Sequence, residues 1–133
     1  MTLVVDSSAI VAILLKEYDA ADLLDAMIDA SDLRLSTANY LEVVIVLLAK
    51  GRPALKSEFD QLLAELSVTR QAVSAEQADL AAGAYRTYGK GRHAAALNFG
   101  DCFAYALAKQ LDAPLLYKGT DFAATDITPA AAG

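Results

Sequence analysis

The sequence has little of what staples, soft-metal cages and membrane anchors are made from. Cys102 is the only cysteine among 133 residues, and His93 is the only histidine. A single thiol excludes an intramolecular disulfide and a cysteine cage, and a lone histidine gives no basis for a zinc site. Long apolar runs are missing too. The longest early one, Ala9 to Leu15, is too short to cross a bilayer, and no Lys or Arg precedes it as the charged start of a secretory signal. A cytoplasmic protein with no membrane partner, in a reducing compartment, is expected. Basic residues are scarce, 11 Lys and Arg against 17 Asp and Glu, so the net charge is −6. At face value that argues against a polyanionic partner. The objection weakens if several acids gather in one pocket around cations, because bound metal reverses the local field felt by a phosphate.

What is present is a chain of blocks. Hydrophobic residues make up 56% of it, distributed between polar turns without repeats or low-complexity linkers, and the length suits one domain over residues 1–133. The end from Pro129 to Gly133 is expected to be frayed. Leu3 to Val5 reads as a strand ending at Asp6, followed by a helix capped by Ser7 or Ser8 and running to about Lys16. Helical spacing recurs over Asp19 to Ala30, and Leu33 to Leu35 reads as a second strand. Ala38 to Lys50 contains Val43-Val44-Ile45-Val46, which alone suggests a strand. Its length, between a Ser/Thr cap and Gly51, decides for helix. Pro53 opens a helix to about Leu66, and Ser67 to Val73 supplies a third strand. A helix over Ala75 to Tyr88, a flexible basic connection at Gly89 to His93, a helix over Phe99 to Leu111, a strand at Pro114 to Tyr117 and an edge strand from Thr125 complete the chain. Strands alternating with helices imply a parallel sheet covered on both faces, with functional groups beyond the carboxyl ends of the strands.

Four acids fall where that rule points. Asp6 ends the first strand, although an Asp before a helix is also an ordinary cap. Glu42 is the only charged residue between Arg34 and Lys50. Its apolar neighbours suggest burial, in which case it must be paired, protonated or cation-bound, unless the helix turns it to water. Asp101 stands three residues after Asn98, the spacing of a capping box. Asp121 follows the last strand through Lys118-Gly119-Thr120, with Asp126 as a nearby competitor, and a turn Asp is often structural. Together the four are more informative than singly. Clustered carboxylates repel, so they call for a proton or a cation, and oxygen-only ligands select Mg²⁺ or Mn²⁺. Such an ion assists phosphodiester hydrolysis.

Three segments resemble the signatures of VapC-type PIN domains: Val4-Val5-Asp6-Ser7-Ser8-Ala9, Leu97-Asn98-Phe99-Gly100-Asp101-Cys102-Phe103-Ala104-Tyr105-Ala106 and Leu116-Tyr117-Lys118-Gly119-Thr120-Asp121-Phe122. The resemblance implies a three-layer α/β/α sandwich with a central parallel sheet and, as a rule, a homodimer. It also implies a Mg²⁺- or Mn²⁺-dependent endoribonuclease that is the toxin of a toxin-antitoxin pair, neutralised by a VapB-like antitoxin. Carried over by position, Asp6, Glu42, Asp101 and Asp121 form the metal and catalytic set, while Ser7 and Asn98 hold the carboxylates in place. A metal-activated water would attack the RNA phosphorus, so no protein nucleophile is required.

Arg86, Lys90 and Arg92, beside His93, are candidates for phosphate contacts, against the ordinary reading of Arg86 and Gly89 as helix-end residues. The loop lacks the G-x-x-x-x-G-K-[ST] pattern, which rejects a P-loop. A receiver-type domain lacks its phosphoacceptor here, and a phosphatase with an aspartyl nucleophile would need Asp-x-Asp where Asp6-Ser7-Ser8 stands. The remaining rival is a catalytically idle PIN-like module that binds RNA or protein.

Overall fold

The computed structural model describes residues 1–130. Within them β1 (Thr2–Val5), β2 (Asp32–Ser36), β3 (Thr69–Gln71) and β4 (Leu115–Leu116) form an all-parallel sheet in the order β3-β2-β1-β4. The helices are α1 (Ser7–Leu14), α2 (Ala20–Asp29), α3 (Thr37–Ala49), α4 (Leu55–Glu65), α5 (Ala75–Tyr88) and α6 (Phe99–Leu111). Successive strand side chains point to opposite faces, so β1 feeds two cores. Leu3 and Val5 join Leu33, Leu35 and Leu116 beneath α1 to α4, whereas Val4 joins Leu115 beneath α5 and α6. Burial on both faces is why β1 is continuously apolar and not alternating. The three-layer α/β/α sandwich is the expected one. Among the described residues no helix is long and apolar enough to cross a membrane.

The β-branched stretch of α3 is helical, as length required. Helical rotation scatters it: Val43 is buried, Val44 and Val46 are half-buried, and Ile45 is exposed. Several boundaries differ from expectation. Asp6, not Ser7 or Ser8, caps α1, in extended conformation with its side chain accepting from the Ser8 amide. α4 begins at Leu55, with Pro53 in the preceding turn, where the Leu55 N–H bonds to the Arg52 carbonyl at 3.1 Å. The tail contributes a single parallel bridge, Leu115 to Pro129, and the Ala130 N–H bonds to the Leu115 carbonyl at 2.9 Å. Pro129 and Ala130 are therefore tied to the sheet edge; the rest of the expected frayed end, 131–133, lies outside the described residues.

The basic connection after α5 is folded on itself, where a flexible linker was expected. Lys90 N–H reaches the Leu97 carbonyl and Leu97 N–H reaches that of Tyr88, each at 2.9 Å. The His93 ring packs edge-on against Tyr88, and its Nδ1 accepts from the Ala95 amide. Gly89 is extended, not left-handed, so its lack of a side chain serves a different need from the usual helix stop. A Cβ there would lie 2.3 Å from the Tyr85 carbonyl oxygen. Close approach, and not φ, requires glycine.

Candidate active site

Beyond the carboxyl end of β1 the chain is lashed to that of β4. Asp6 N–H donates to the Leu116 carbonyl at 2.9 Å, and Lys118 N–H donates to Ser8 Oγ at 3.0 Å. This brings the short 3₁₀ turn Asp121–Ala124 to the sheet edge where α1 begins.

Asp6 is 2% exposed. One carboxylate oxygen, Oδ2, accepts from the Ser8 amide at 3.0 Å, and Oδ1 is buried without a partner. The capping explanation therefore accounts for half of this carboxylate. Burial pushes its pKa from 3.8 up to about 6, against the lowering effect of the Ser8 hydrogen bonds, and repulsion by Glu42 adds to the rise.

Asp101 forms a true capping box with Asn98: its amide donates to Asn98 Oδ1 at 2.9 Å while its Oδ2 accepts from the Asn98 amide at 3.0 Å. It is nonetheless buried, and burial raises its pKa from 3.8 to about 7, with the charges of Asp6, Asp121 and Glu42 contributing further. All four acids thus share one electrostatic field. The capping reading of Asp101 holds, and a cap pins a carboxylate without using its whole charge.

Glu42 is half-buried. Its apolar sequence neighbours Leu41, Ile45 and Leu48 are exposed, so the isolation inferred from sequence is a surface feature in part. Ser7 Oγ donates to Glu42 Oε1 at 2.5 Å. A second donor was not foreseen. Asn39, wholly buried, directs Nδ2 to Glu42 Oε1 at 3.1 Å and to the Gly100 carbonyl at 3.0 Å. Its available signal was position: three residues before Glu42, it lies on the same helix face. Gly100 was also missed as a site residue. A Cβ there would lie 2.0 Å from Glu42 Oε2, so any other residue at this position would displace the Glu42 carboxylate.

Asp121 opens the 3₁₀ turn and is exposed, at the rim of the group. Its competitor Asp126 is otherwise engaged, accepting from Tyr105 Oη at 2.7 Å and pairing with Lys109 at 2.9 Å. Cys102 is buried beside Asp101, and burial lifts its thiol to about 11, which rules out a ready thiolate. Arg86, Lys90 and Arg92 are exposed, and among the described residues none of them has a salt bridge.

As they stand, no three Asp, Glu, His or Cys side chains among the described residues converge closely enough to hold one ion. The donor set nevertheless suits a hard cation, being all carboxylate, with a desolvated, unpartnered oxygen on Asp6.

The PIN domain family model matches residues 3–127. Ribonuclease VapC30 of Mycobacterium tuberculosis (strain ATCC 25618 / H37Rv) is 51% identical over 131 residues, covering 97% of this chain and 98% of that protein. The crystal structure of Mycobacterium tuberculosis VapC20, a sarcin-ricin loop cleaving toxin, aligns with TM-score 0.77 at 13% identity, over 95% of this chain and 96% of its own. A chain of a toxin-antitoxin complex from Klebsiella pneumoniae aligns with TM-score 0.69 at 15% identity, over 93% and 92%. At those identities the two structures speak for the fold, whereas the family model and the 51% identical relative speak for descent. On that evidence the chain belongs to the VapC ribonucleases of the PIN-domain family.

Proposed function

We propose that this protein is a Mg²⁺- or Mn²⁺-dependent endoribonuclease, the cytoplasmic toxin of a toxin-antitoxin pair, with Asp6, Glu42, Asp101 and Asp121 as its site. The observation that carries this is the buried, unpartnered Oδ1 of Asp6, together with Asp101, on which the charges of Asp6, Asp121 and Glu42 all act. Asp6 and Asp101 would hold the principal cation, with Asp121 supporting it from the rim. When bound there, a divalent ion would offset the like charges and would supply Lewis-acid chemistry toward water and a phosphoryl oxygen. Glu42 Oε2, which takes no donor among the described residues while Oε1 takes two, would accept the proton of the attacking water. Asn98 keeps Asp101 in place, and Ser7 does so for Glu42. Arg86, Lys90 and Arg92 contact the RNA backbone, which answers the objection from net charge, since the local sign matters more than the total.

Two partners follow. A VapB-like antitoxin would neutralise the toxin, as family membership suggests. A second copy would cover the apolar face formed by Leu41, Ile45 and Leu48 of α3, which are 57%, 54% and 59% exposed, and by Phe99, 79% exposed. Phe99 stands between hollows of about 610 and 500 Å³, and it lines both together with Asn98 and Phe103. A knob flanked by hollows is self-complementary, as a two-fold interface requires.

The test is cleavage of mixed structured RNA by antitoxin-free protein in Mg²⁺, Mn²⁺ or EDTA, with Asp6→Asn, Asp101→Asn and Glu42→Gln alongside. Metal-dependent cutting lost in all three folded variants is the expected result. Metal-independent RNA binding without cutting by the parent protein would favour the idle binding module.

A further inference from the structure

We infer that Asn39 is a positioning residue: it selects which oxygen of Glu42 is left free for the reacting water and ties that choice to the first turn of α6. The inference rests on the site reading above. Both groups facing the Asn39 amide, Glu42 Oε1 and the Gly100 carbonyl, are acceptors only, at 3.1 and 3.0 Å. Only the NH₂ end can meet them, which fixes the amide orientation. The same orientation leaves Asn39 Oδ1 buried with no partner. An orphaned acceptor in the interior opposes folding, so stability alone gives a poor account of an asparagine here.

Its consequence is an asymmetric carboxylate. Ser7 Oγ and Asn39 Nδ2 converge on Oε1 from different elements, α1 and α3. Oε2 receives neither and lies over the Cα of Gly100, where any Cβ would stand 2.0 Å from it. Two donors occupy Oε1 and leave Oε2 as the open acceptor. Because one amide also holds the Gly100 carbonyl, the carboxylate is registered against the turn that carries Asp101. Loss of Asn39 frees the Glu42 side chain to rotate and loosens its placement relative to Asp101 while leaving every acid in the chain.

The test uses Mn²⁺ affinity by equilibrium titration, RNA cleavage with kcat and KM separated, and thermal unfolding in EDTA. The variants are Asn39→Leu, Asn39→Ser, Glu42→Gln and the Asn39→Leu/Glu42→Gln pair. Leucine keeps the shape and removes the orphaned acceptor; serine is the smaller replacement should leucine fail to fold. Asn39→Leu is expected to weaken Mn²⁺ binding roughly tenfold and to lower kcat with little change in KM, as loss of a group orienting a metal ligand does. Its unfolding temperature in EDTA should fall by a few degrees at most, because the orphaned acceptor is lost together with the two Nδ2 bonds. In the Glu42→Gln background the same change should weaken Mn²⁺ no further, because a residue acting through Glu42 has nothing left to act on. Independent, additive losses would overturn the inference, as would unchanged affinity and kcat in either folded single variant. A parent protein that binds no Mn²⁺ would overturn the site reading with it, whereas normal parent binding with unaffected Asn39 variants would remove Asn39 alone.

Discussion

Replacing Asp6 by Asn should inactivate the protein and make its metal-free form more stable. Burial raises the Asp6 pKa from 3.8 to about 6. A carboxyl raised in this way opposes folding as pH climbs: the folded state holds its proton more tightly than the unfolded chain, so stability is full below the lower value and is lost through the higher one. The loss for Asp6 amounts to about 3 kcal/mol once pH is well above 6. Asparagine has nearly the same shape, caps a helix as well as aspartate and carries no charge, so Oδ1 can keep the Ser8 amide bond. Its NH₂ would replace the unpartnered oxygen and remove a charge that repels Glu42 and Asp101. Urea denaturation in EDTA should therefore show Asp6→Asn gaining up to about 3 kcal/mol at about pH 8, and the gain should vanish near pH 4. Added Mg²⁺ or Mn²⁺ should stabilise the parent and have much less effect on the variant, because only binding to the folded state shifts the equilibrium. A variant no more stable than the parent at about pH 8, or a gain of equal size at both pH values, would refute the reasoning.

Two further outcomes follow from the surface. Changing Lys90 and Arg92 together to Ala in a Glu42→Gln background should weaken RNA binding and reduce the slope of log affinity against log salt by about 1.5, with the fold unchanged. An unaltered slope in binding titrations would remove the loop from the RNA path. Phe99→Asp, which places a charge on the knob between the two hollows, should convert a dimer to monomer in light scattering without lowering the unfolding temperature of the monomer. A variant that stays dimeric would locate the interface on another face.

Much of this molecule can be read locally. The apolar strand ending at Asp6, the capping box of Asn98 and Asp101, and the helical nature of α3 despite its valines all depend on groups within about four residues of one another, the range of helix hydrogen bonds and caps. The parallel order of the sheet follows from alternation of strand and helix, and the two-sided burial of β1 follows from its unbroken hydrophobicity. The four acids were legible for the same reason, each standing at a strand end or in a helix whose existence local pattern decides.

Only the closed chain decided what surrounds each acid. Asp121 and Asp126 are equal candidates by position, and the pairing of Asp126 with Tyr105 and Lys109 separates them. Ser7 left its expected capping role to Asp6 because its hydroxyl has a partner 35 residues away, in Glu42. Gly89 and Gly100 look like a helix stop and a weak spot in a helix, but a carbonyl and a carboxylate brought against them explain both. Asn39 gave no sign beyond its spacing from Glu42, since its second partner, Gly100, is 61 residues distant. Periodicity and capping belong to a segment of chain, whereas desolvation of a carboxylate and the choice of its hydrogen-bond donors exist only when distant segments pack together.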